Sequence, residues 1–222
     1  MLSQASFAGD ELSNNDIRSG KLFPFKSAKV VYQKSGMTTG TETLWIDDYG
    51  RMQVRESNMT TKVMNITQTQ ETIAIVTPET ITTINLKEKT AVKMANPAKN
   101  FYESLKKKSD AELEQFKKSM MNMGQQMTGQ EVKPIGKEKL LGKECDVYEM
   151  SMMGGTTKLW TWKNLNLKTE TQMMGNKISD VATSLEVGVK IPKEKTQIPA
   201  GIQLREMPAM GNMPFALQQK RQ

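Results

Sequence analysis

The stretch GTETLWIDDYGRMQVRES, residues Gly40–Ser57, has the pattern of a β-hairpin. Two runs rich in β-branched, aromatic and aliphatic residues flank Asp47-Asp48-Tyr49-Gly50, where Asp and Gly favour a turn. The length of the loop sets the register, and the register decides which side chains face the core. This hairpin therefore determines the inside and the outside of the predicted sheet.

Two loop lengths fit these residues. A two-residue loop would pair Trp45 with Met52 and would place Ile46 opposite Arg51. A three-residue loop gives Gly50 the left-handed position of a type I turn followed by a bulge. We predict the three-residue loop because it produces a wholly apolar face.

In this register Ile46 pairs with Met52 and Leu44 pairs with Val54, so these four side chains share one face. Trp45 then lies on the opposite face. It is either covered by another segment, such as the N-terminal stretch, or exposed as a contact surface. We expect it to be covered.

The rest of the chain is also rich in strand patterns. Seven candidate strands span 28–34, 41–47, 51–56, 61–67, 72–77, 80–86 and 90–94, and five more span 137–140, 144–152, 156–162, 167–174 and 177–187. The short connections indicate antiparallel pairing. We predict a mainly β, α+β fold: a large curved antiparallel sheet or unclosed β-barrel of about a dozen strands, with helix packed on its concave face.

The helix is expected near residues 97–123, within one domain that spans 23–222. Ser109-Asp110-Ala111-Glu112 has the pattern of a capping box, which predicts two helices that meet near Ser109. The C-terminal tail, with four prolines after Ile191, should be extended or irregular. Apolar residues recur at helical spacing at Phe101, Leu105, Leu113, Phe116, Met120 and Met123.

Composition excludes several classes of function. Of the 31 basic residues only five are arginines, and the 26 lysines are spread along the chain, which argues against a nucleic-acid partner despite the net charge of +7. The lysines favour solubility, with weak attraction to an anionic membrane surface or envelope proteins as the alternative.

Catalytic groups are scarce. The chain contains no histidine, and its one cysteine, Cys145, alternates within a strand as a small apolar residue does. We predict no enzymatic activity and no cofactor.

Residues 1–22 have two interpretations. Ser6-Phe7-Ala8 has the small-x-small form of a signal-peptidase site, which would make the protein exported and periplasmic. The same residues also fit a flexible polar N-terminus.

Methionine is abundant, at 18 of 222 residues. Its flexible side chain suits surfaces that accept varied apolar partners, so Met52, Met64, Met94, Met120 and Met123 could line a cavity or simply fill the core. Thioethers also bind Cu(I), and Met207, Met210 and Met213 are spaced by three. A Cu(I) site there is an alternative hypothesis, and a structural or interaction module of the envelope is another.

Four stretches carry a family resemblance: FPFKSAKVVYQKSG, GTETLWIDDYGRMQVRES, GKEKLLGKECDVYEM and KLWTWKNLNLKTE. In this order, over residues 23–206, they resemble uncharacterised branches of the LolA/LolB-like periplasmic superfamily. The resemblance implies an unclosed β-barrel with helices over an apolar cavity, and a role in lipid or lipoprotein handling. We expect a lipid or acyl chain to contact Leu44, Ile46, Met52, Val54, Phe101, Leu105, Phe116, Trp160 and Trp162.

Overall fold

The computed structural model describes residues 12–63, 66–128, 132–152, 155–173 and 175–207, without the side chains of residues 63, 120–128 and 152. Twelve strands form one sheet in the order β12-β6-β5-β4-β3-β2-β1-β11-β10-β9-β8-β7. They are β1 (Ala28–Ser35), β2 (Thr38–Asp47), β3 (Met52–Val63), β4 (Ile66–Val76), β5 (Thr80–Asn85), β6 (Thr90–Ala95), β7 (Lys133–Leu140), β8 (Lys143–Met152), β9 (Gly155–Trp162), β10 (Leu165–Met173), β11 (Asn176–Val187) and β12 (Gln203–Glu206).

All neighbouring strands are antiparallel except β12, which pairs with β6 in parallel. The sheet is unclosed, with β12 and β7 at its two edges. The predicted fold class, a mainly β chain with an unclosed sheet of about a dozen strands, is therefore confirmed. Within the described residues, no helix combines the length and apolar character needed to cross a membrane.

In the described part of the chain, three helices accompany the sheet: α1 (Asn14–Arg18), α2 (Ala98–Lys106) and α3 (Asp110–Thr128). The helical insert divides at Ser109 as predicted. The Ser109 hydroxyl accepts a hydrogen bond from the backbone N–H of Glu112 at 3.3 Å, and the Ser109 N–H donates to the Glu112 carboxylate at 2.7 Å. This reciprocal cap satisfies donors that the first turn of α3 would otherwise leave unpaired.

Two details of the strand prediction were wrong. The separate strand predicted over 61–67 does not exist, because β3 extends to Val63 and β4 begins at Ile66. Conversely, the tail contains β12, whose four residues are all exposed and carry no apolar alternation. This strand is defined by its backbone pairing with β6, and the pattern of its side chains does not predict that pairing.

The core consists of two buried clusters. The Leu44 cluster contains Phe23, Phe25, Ala28, Val30, Tyr32, Leu44, Ile46, Cys145, Val147, Trp160, Leu165, Leu167 and Ala182. The Trp45 cluster contains Trp45, Val54, Ile75, Ile84 and Ala91, and Val189, Ile191, Ile198 and Ile202 of the C-terminal segment pack against it. Because successive side chains on a strand point to opposite faces, the two clusters lie on opposite faces of β2.

The register predicted for the opening hairpin was wrong by one residue. Trp45 pairs with Val54 and Asp47 pairs with Met52, so the loop has four residues, 48–51. The prediction that Trp45 is covered is confirmed, since 9% of it is exposed. The C-terminal segment covers it rather than the N-terminal stretch.

Hydrogen bonds from the N-terminal segment hold the longer loop. The backbone N–H of Tyr49 donates to the Lys26 carbonyl at 2.9 Å, and the Tyr49 carbonyl accepts from the N–H of Leu22 at 2.8 Å. Asp48, Tyr49 and Gly50 all have positive φ, at 49°, 58° and 95°. Gly50 is thus left-handed as expected, but two L-residues before it share that conformation.

Candidate functional site

The structure divides the predicted ligand-binding residues of the hairpin between two faces. Leu44 and Ile46 are fully buried in the Leu44 cluster. Val54 lies in the Trp45 cluster, and Met52 pairs with Asp47 on that same side of the sheet. The prediction of one face shared by all four side chains was wrong, because the four-residue loop shifts β3 by one position.

The predicted tryptophans lie with Leu44 and Ile46. Trp160 belongs to the Leu44 cluster, and Trp162 packs against that cluster while remaining half-buried. The Trp160 indole donates a hydrogen bond to Glu138 at 2.7 Å, and the Lys168 ammonium lies 4.0 Å from the centre of its ring. The structure thus brings four of the nine predicted residues into or against one cluster.

The helix residues lie apart from both clusters. Leu105 is buried but belongs to neither cluster, and Phe101 is 41% exposed. The rings of Phe101 and the half-buried Phe116 are 5.6 Å apart, which joins α2 to α3. These residues form a small apolar contact of the helical insert.

Aromatic side chains of the protein itself fill the core beneath Leu44 and Ile46. Phe23 stacks on Phe25 at a centroid distance of 5.2 Å, and Phe25 stacks on Trp162 at 5.6 Å. The ring of Phe23 also lies so close to Gly50 that a Cβ there would be 2.7 Å from it. This part of the face is packed interior.

Beyond Gln53 and Arg55 of β3, the same face carries a second group of apolar residues, which are only partly buried. Directly paired residues of neighbouring strands point to the same face, and the pairing leads from Ile46 through Gln53, Val76 and Ile81 to Met94. The next row runs from Leu44 through Arg55, Ala74 and Thr83 to Val92. We call Val76, Ile81, Val92 and Met94 the apolar strip.

The apolar strip is accessible. Val76, Ile81 and Val92 are half-buried, and Met94 is 38% exposed. Sequence reasoning identified only Met94 of these residues, as one of several methionines for a cavity. The two-residue spacing of Val92 and Met94 in β6 is a signal for one shared face. That Val76 and Ile81 lie on the same face depends on the register of β4, β5 and β6.

A row of neutral polar residues borders the strip farther along the strands. It consists of Ser57, Thr72, Asn85, Thr90 and Gln203, paired in that order. The exposed part of this face is therefore amphipathic, apolar at one end of the strands and hydrogen-bonding at the other.

The helix α2 begins at the apolar end of this face. The Asn96 side chain donates to the Thr77 carbonyl at 2.7 Å and accepts from the Ala98 N–H at 3.0 Å. Farther along, the Tyr102 ring lies against Gly20, which also neighbours the Arg51 side chain. These contacts fix α2 near the end of the sheet that carries Ile81 and Met94.

An ionic network surrounds the buried Glu42 on this face of the sheet. Glu42, 6% exposed, accepts a hydrogen bond from the Arg55 guanidinium and another from the Ser57 hydroxyl at 3.0 Å. Lys34 lies 3.7 Å from Glu42 and forms an ion pair with Asp180. Each cation of this network faces a carboxylate, so the network is electrically balanced.

The neighbouring Tyr32 is a buried proton donor. Its hydroxyl donates to the Asn166 carbonyl at 2.8 Å. Burial raises the pKa of Tyr32 above its ordinary value because the phenolate would be poorly solvated.

Two depressions in the described part of the chain are polar. One, of about 310 Å³, is lined by Gln68, Thr69, Gln70, Asn85, Lys87 and Glu88, and the other, of about 190 Å³, by Thr156, Lys158, Glu170, Thr171, Gln172 and Lys177. Neither includes a residue of the apolar strip or of the predicted ligand-binding set.

Cys145 and the methionines bear on the alternative chemistries. Cys145 is fully buried, and burial raises the pKa of its thiol, which disfavours a reactive thiolate. The described residues contain no group of three or more His, Cys, Asp or Glu side chains that could hold a metal ion. For the Cu(I) hypothesis, Met207 is 39% exposed, whereas Met210 and Met213 lie outside the described residues.

Comparison with known proteins identifies similar folds. No protein-family model and no curated protein sequence matches the chain. An uncharacterized conserved protein from Thermus thermophilus has a TM-score of 0.50 and 8% identity, over 87% of this chain and 97% of that chain. At this identity the similarity is one of fold.

Two other solved structures are less similar to the chain. LprF from Mycobacterium bovis has a TM-score of 0.37 and 12% identity, over 81% of this chain and 94% of that chain. An outer membrane lipoprotein-sorting protein domain from Vibrio parahaemolyticus has a TM-score of 0.31 and 8% identity, over 83% of this chain and 94% of that chain.

Proposed function

We propose that the protein is an exported, non-enzymatic binding protein of the cell envelope, and that it holds a lipid or acyl chain on the apolar strip. The observation that carries this proposal is a group of partly exposed apolar residues on the Leu44 face of an unclosed sheet, beyond the buried core. Apolar surface that a protein leaves partly open is typical of sites for apolar ligands.

The sequence resemblance to the LolA/LolB-like superfamily supports the same function. It implies an unclosed β-barrel with helices, and the described residues form an unclosed sheet of twelve strands with three helices. The absence of histidine removes the commonest general base, which favours binding over catalysis.

We propose a different binding position from the one that the sequence predicts. Phe23 and Phe25 already fill the region beneath Leu44 and Ile46. We therefore assign the acyl chain to Val76, Ile81, Val92 and Met94, with Phe101 and Phe116 as candidate contacts from the helices.

The test is binding of a neutral chain, dodecanol, and of its carboxylate counterpart, laurate, measured by competition with a polarity-sensitive fluorescent dye. The double variant Ile81→Asn/Met94→Asn should weaken binding of both probes about tenfold or more. Each substitution removes apolar surface that would bury the chain of the probe, so less favourable free energy is gained on binding. Ile66→Asn is the matched control, since Ile66 is 72% exposed and lies at the far hairpin. Equal binding by the double variant and the wild-type protein would disprove the assignment to the strip.

A further inference from the structure

We propose that the ligand of the apolar strip carries an anionic head group, a carboxylate or a phosphate, and that Arg205 binds it. This inference rests on the proposed function. It extends that function by naming the chemical class of the ligand, an anionic amphiphile, and the residue that selects it.

The pairing of β12 with β6 places Arg205 beside the strip. Arg205 pairs with Val92, so its side chain points to the same face as Val92 and Met94. The following residue, Glu206, points to the opposite face, where its carboxylate lies 3.2 Å from Lys93. The acidic neighbour of Arg205 in sequence is thereby held on the other side of the sheet.

Arg205 differs from the other described arginines. Each of Arg18, Arg51 and Arg55 forms an ion pair, with Asp110, Asp48 and Glu42 respectively. Within residues 12–63, 66–128, 132–152, 155–173 and 175–207, no ion pair joins Arg205 to a carboxylate. Arg205 is exposed, so its guanidinium is available to an anion from solution.

Two other cations whose side chains point to this face of the sheet are paired with carboxylates. Arg55, in the same row as Val92, donates to the buried Glu42, and Lys34 pairs with Asp180. Arg205 therefore offers an anion on this face an unpaired positive charge at the β12 edge. A guanidinium suits that role because its planar donors match the geometry of a carboxylate or phosphate.

The distances suit an amphiphile that lies across the strands. Three strand spacings of about 4.8 Å, or about 14 Å in all, separate β4 from β12. A chain placed along Val76, Ile81 and Met94 ends at the sheet edge, where the charged group stays partly hydrated. This arrangement avoids the cost of burying an anion.

The experiment compares probes that share one chain and differ in the head group: laurate, dodecyl phosphate and dodecanol. Wild-type protein should bind the better of the two anions about fivefold more tightly than dodecanol, as expected for one charge-assisted contact at an exposed site. The ratio of laurate to dodecyl phosphate affinity identifies the head group. Inorganic phosphate, which lacks the chain, should not compete at equal concentration.

The variants distinguish an effect of the Arg205 charge on binding from an effect of the substitution on folding. Arg205→Gln should abolish the preference for the anions and leave dodecanol binding unchanged, while Arg205→Lys should keep part of the preference. Lys93→Gln is the matched control, since it removes the same charge from the adjacent strand on the opposite face. The anion preference of the wild type should also decrease at high ionic strength, and dodecanol binding should not.

Three results would overturn the inference. Equal affinity of wild-type protein for the anions and dodecanol would refute the head-group assignment and leave the proposed function standing. Equal loss of dodecanol and laurate binding in Arg205→Gln would assign Arg205 a structural role in β12. No binding of any probe would refute both the inference and the proposed function.

Discussion

The two faces of β2 are both buried at Leu44–Ile46, but segments from opposite ends of the chain cover them. On one face, Leu22, Phe23 and Phe25 of the N-terminal segment complete the Leu44 cluster, which reaches from β2 to β8. On the other, Val189–Ile202 of the C-terminal segment crosses the smaller Trp45 cluster. Consecutive residues Leu44, Trp45 and Ile46 thus belong to two interiors with different partners.

The two coverings differ in how they are held. The N-terminal segment contributes stacked aromatic rings and backbone hydrogen bonds to the turn at Tyr49. The C-terminal segment contributes aliphatic side chains and the ion pair of Lys195 with Glu56 at 2.6 Å, while Glu56 also accepts from the Trp45 indole at 3.2 Å. Half-exposed ion pairs contribute little stability, so the C-terminal covering should open more easily.

Ile46→Ala should have the largest effect, because Ile46 is fully buried in the larger cluster. The loss of buried volume should lower the free energy of unfolding by about 2–5 kcal/mol, measured by urea denaturation. Ile66→Ala removes the same atoms from a site that is 72% exposed and should change stability by less than about 0.5 kcal/mol. Similar losses in the two variants would contradict the assignment of Ile46 to the main core.

Ile198→Ser should have a smaller and local effect. This substitution weakens the contact of the C-terminal segment with the Trp45 cluster and should cost about 1–2 kcal/mol. Amide hydrogen exchange should accelerate in 189–207 and in β6, while β8–β10 remain protected. The exposed neighbour Gln197→Ser serves as control, and faster exchange throughout the sheet would show that the two coverings are not independent.

Tyr32→Phe should change the free energy of unfolding least at neutral pH. At alkaline pH it should remove a pH dependence that belongs to the Leu44 face. Burial raises the pKa of Tyr32, so above about pH 10, where the unfolded chain releases this proton, the folded protein retains it. Stability should therefore fall as pH rises through that range. The free energy of unfolding, measured from pH 8 to pH 11, should decrease less steeply for the variant than for the wild-type protein.

At neutral pH the same variant loses the hydrogen bond to Asn166, at a cost of about 1 kcal/mol. The stability of the variant should still decrease somewhat at alkaline pH, because burial also raises the pKa of Tyr102 and Tyr148. The Trp45 indole, which stabilises the other face, does not titrate in this range. An unchanged pH dependence in Tyr32→Phe would contradict the burial of this phenol.

The sequence determined those features whose cause is local. The capping box at Ser109 needs only residues 109–112, and it divides the helices as predicted. The left-handed conformation of Gly50, with φ of 95°, was predictable because glycine has no Cβ to oppose it. The strand-rich pattern likewise indicated the sheet, since alternation and turn residues are local properties.

The tertiary structure alone decided the register and therefore the faces. Leu44, Trp45 and Ile46 are all apolar, so either register buries apolar side chains and the pattern cannot choose between them. The choice depends on hydrogen bonds between Tyr49 and the distant residues Leu22 and Lys26, which stabilise a four-residue loop with three left-handed residues. The apolar strip and the position of Arg205 depend in turn on pairings across β3 to β12, which are contacts between segments far apart in the chain.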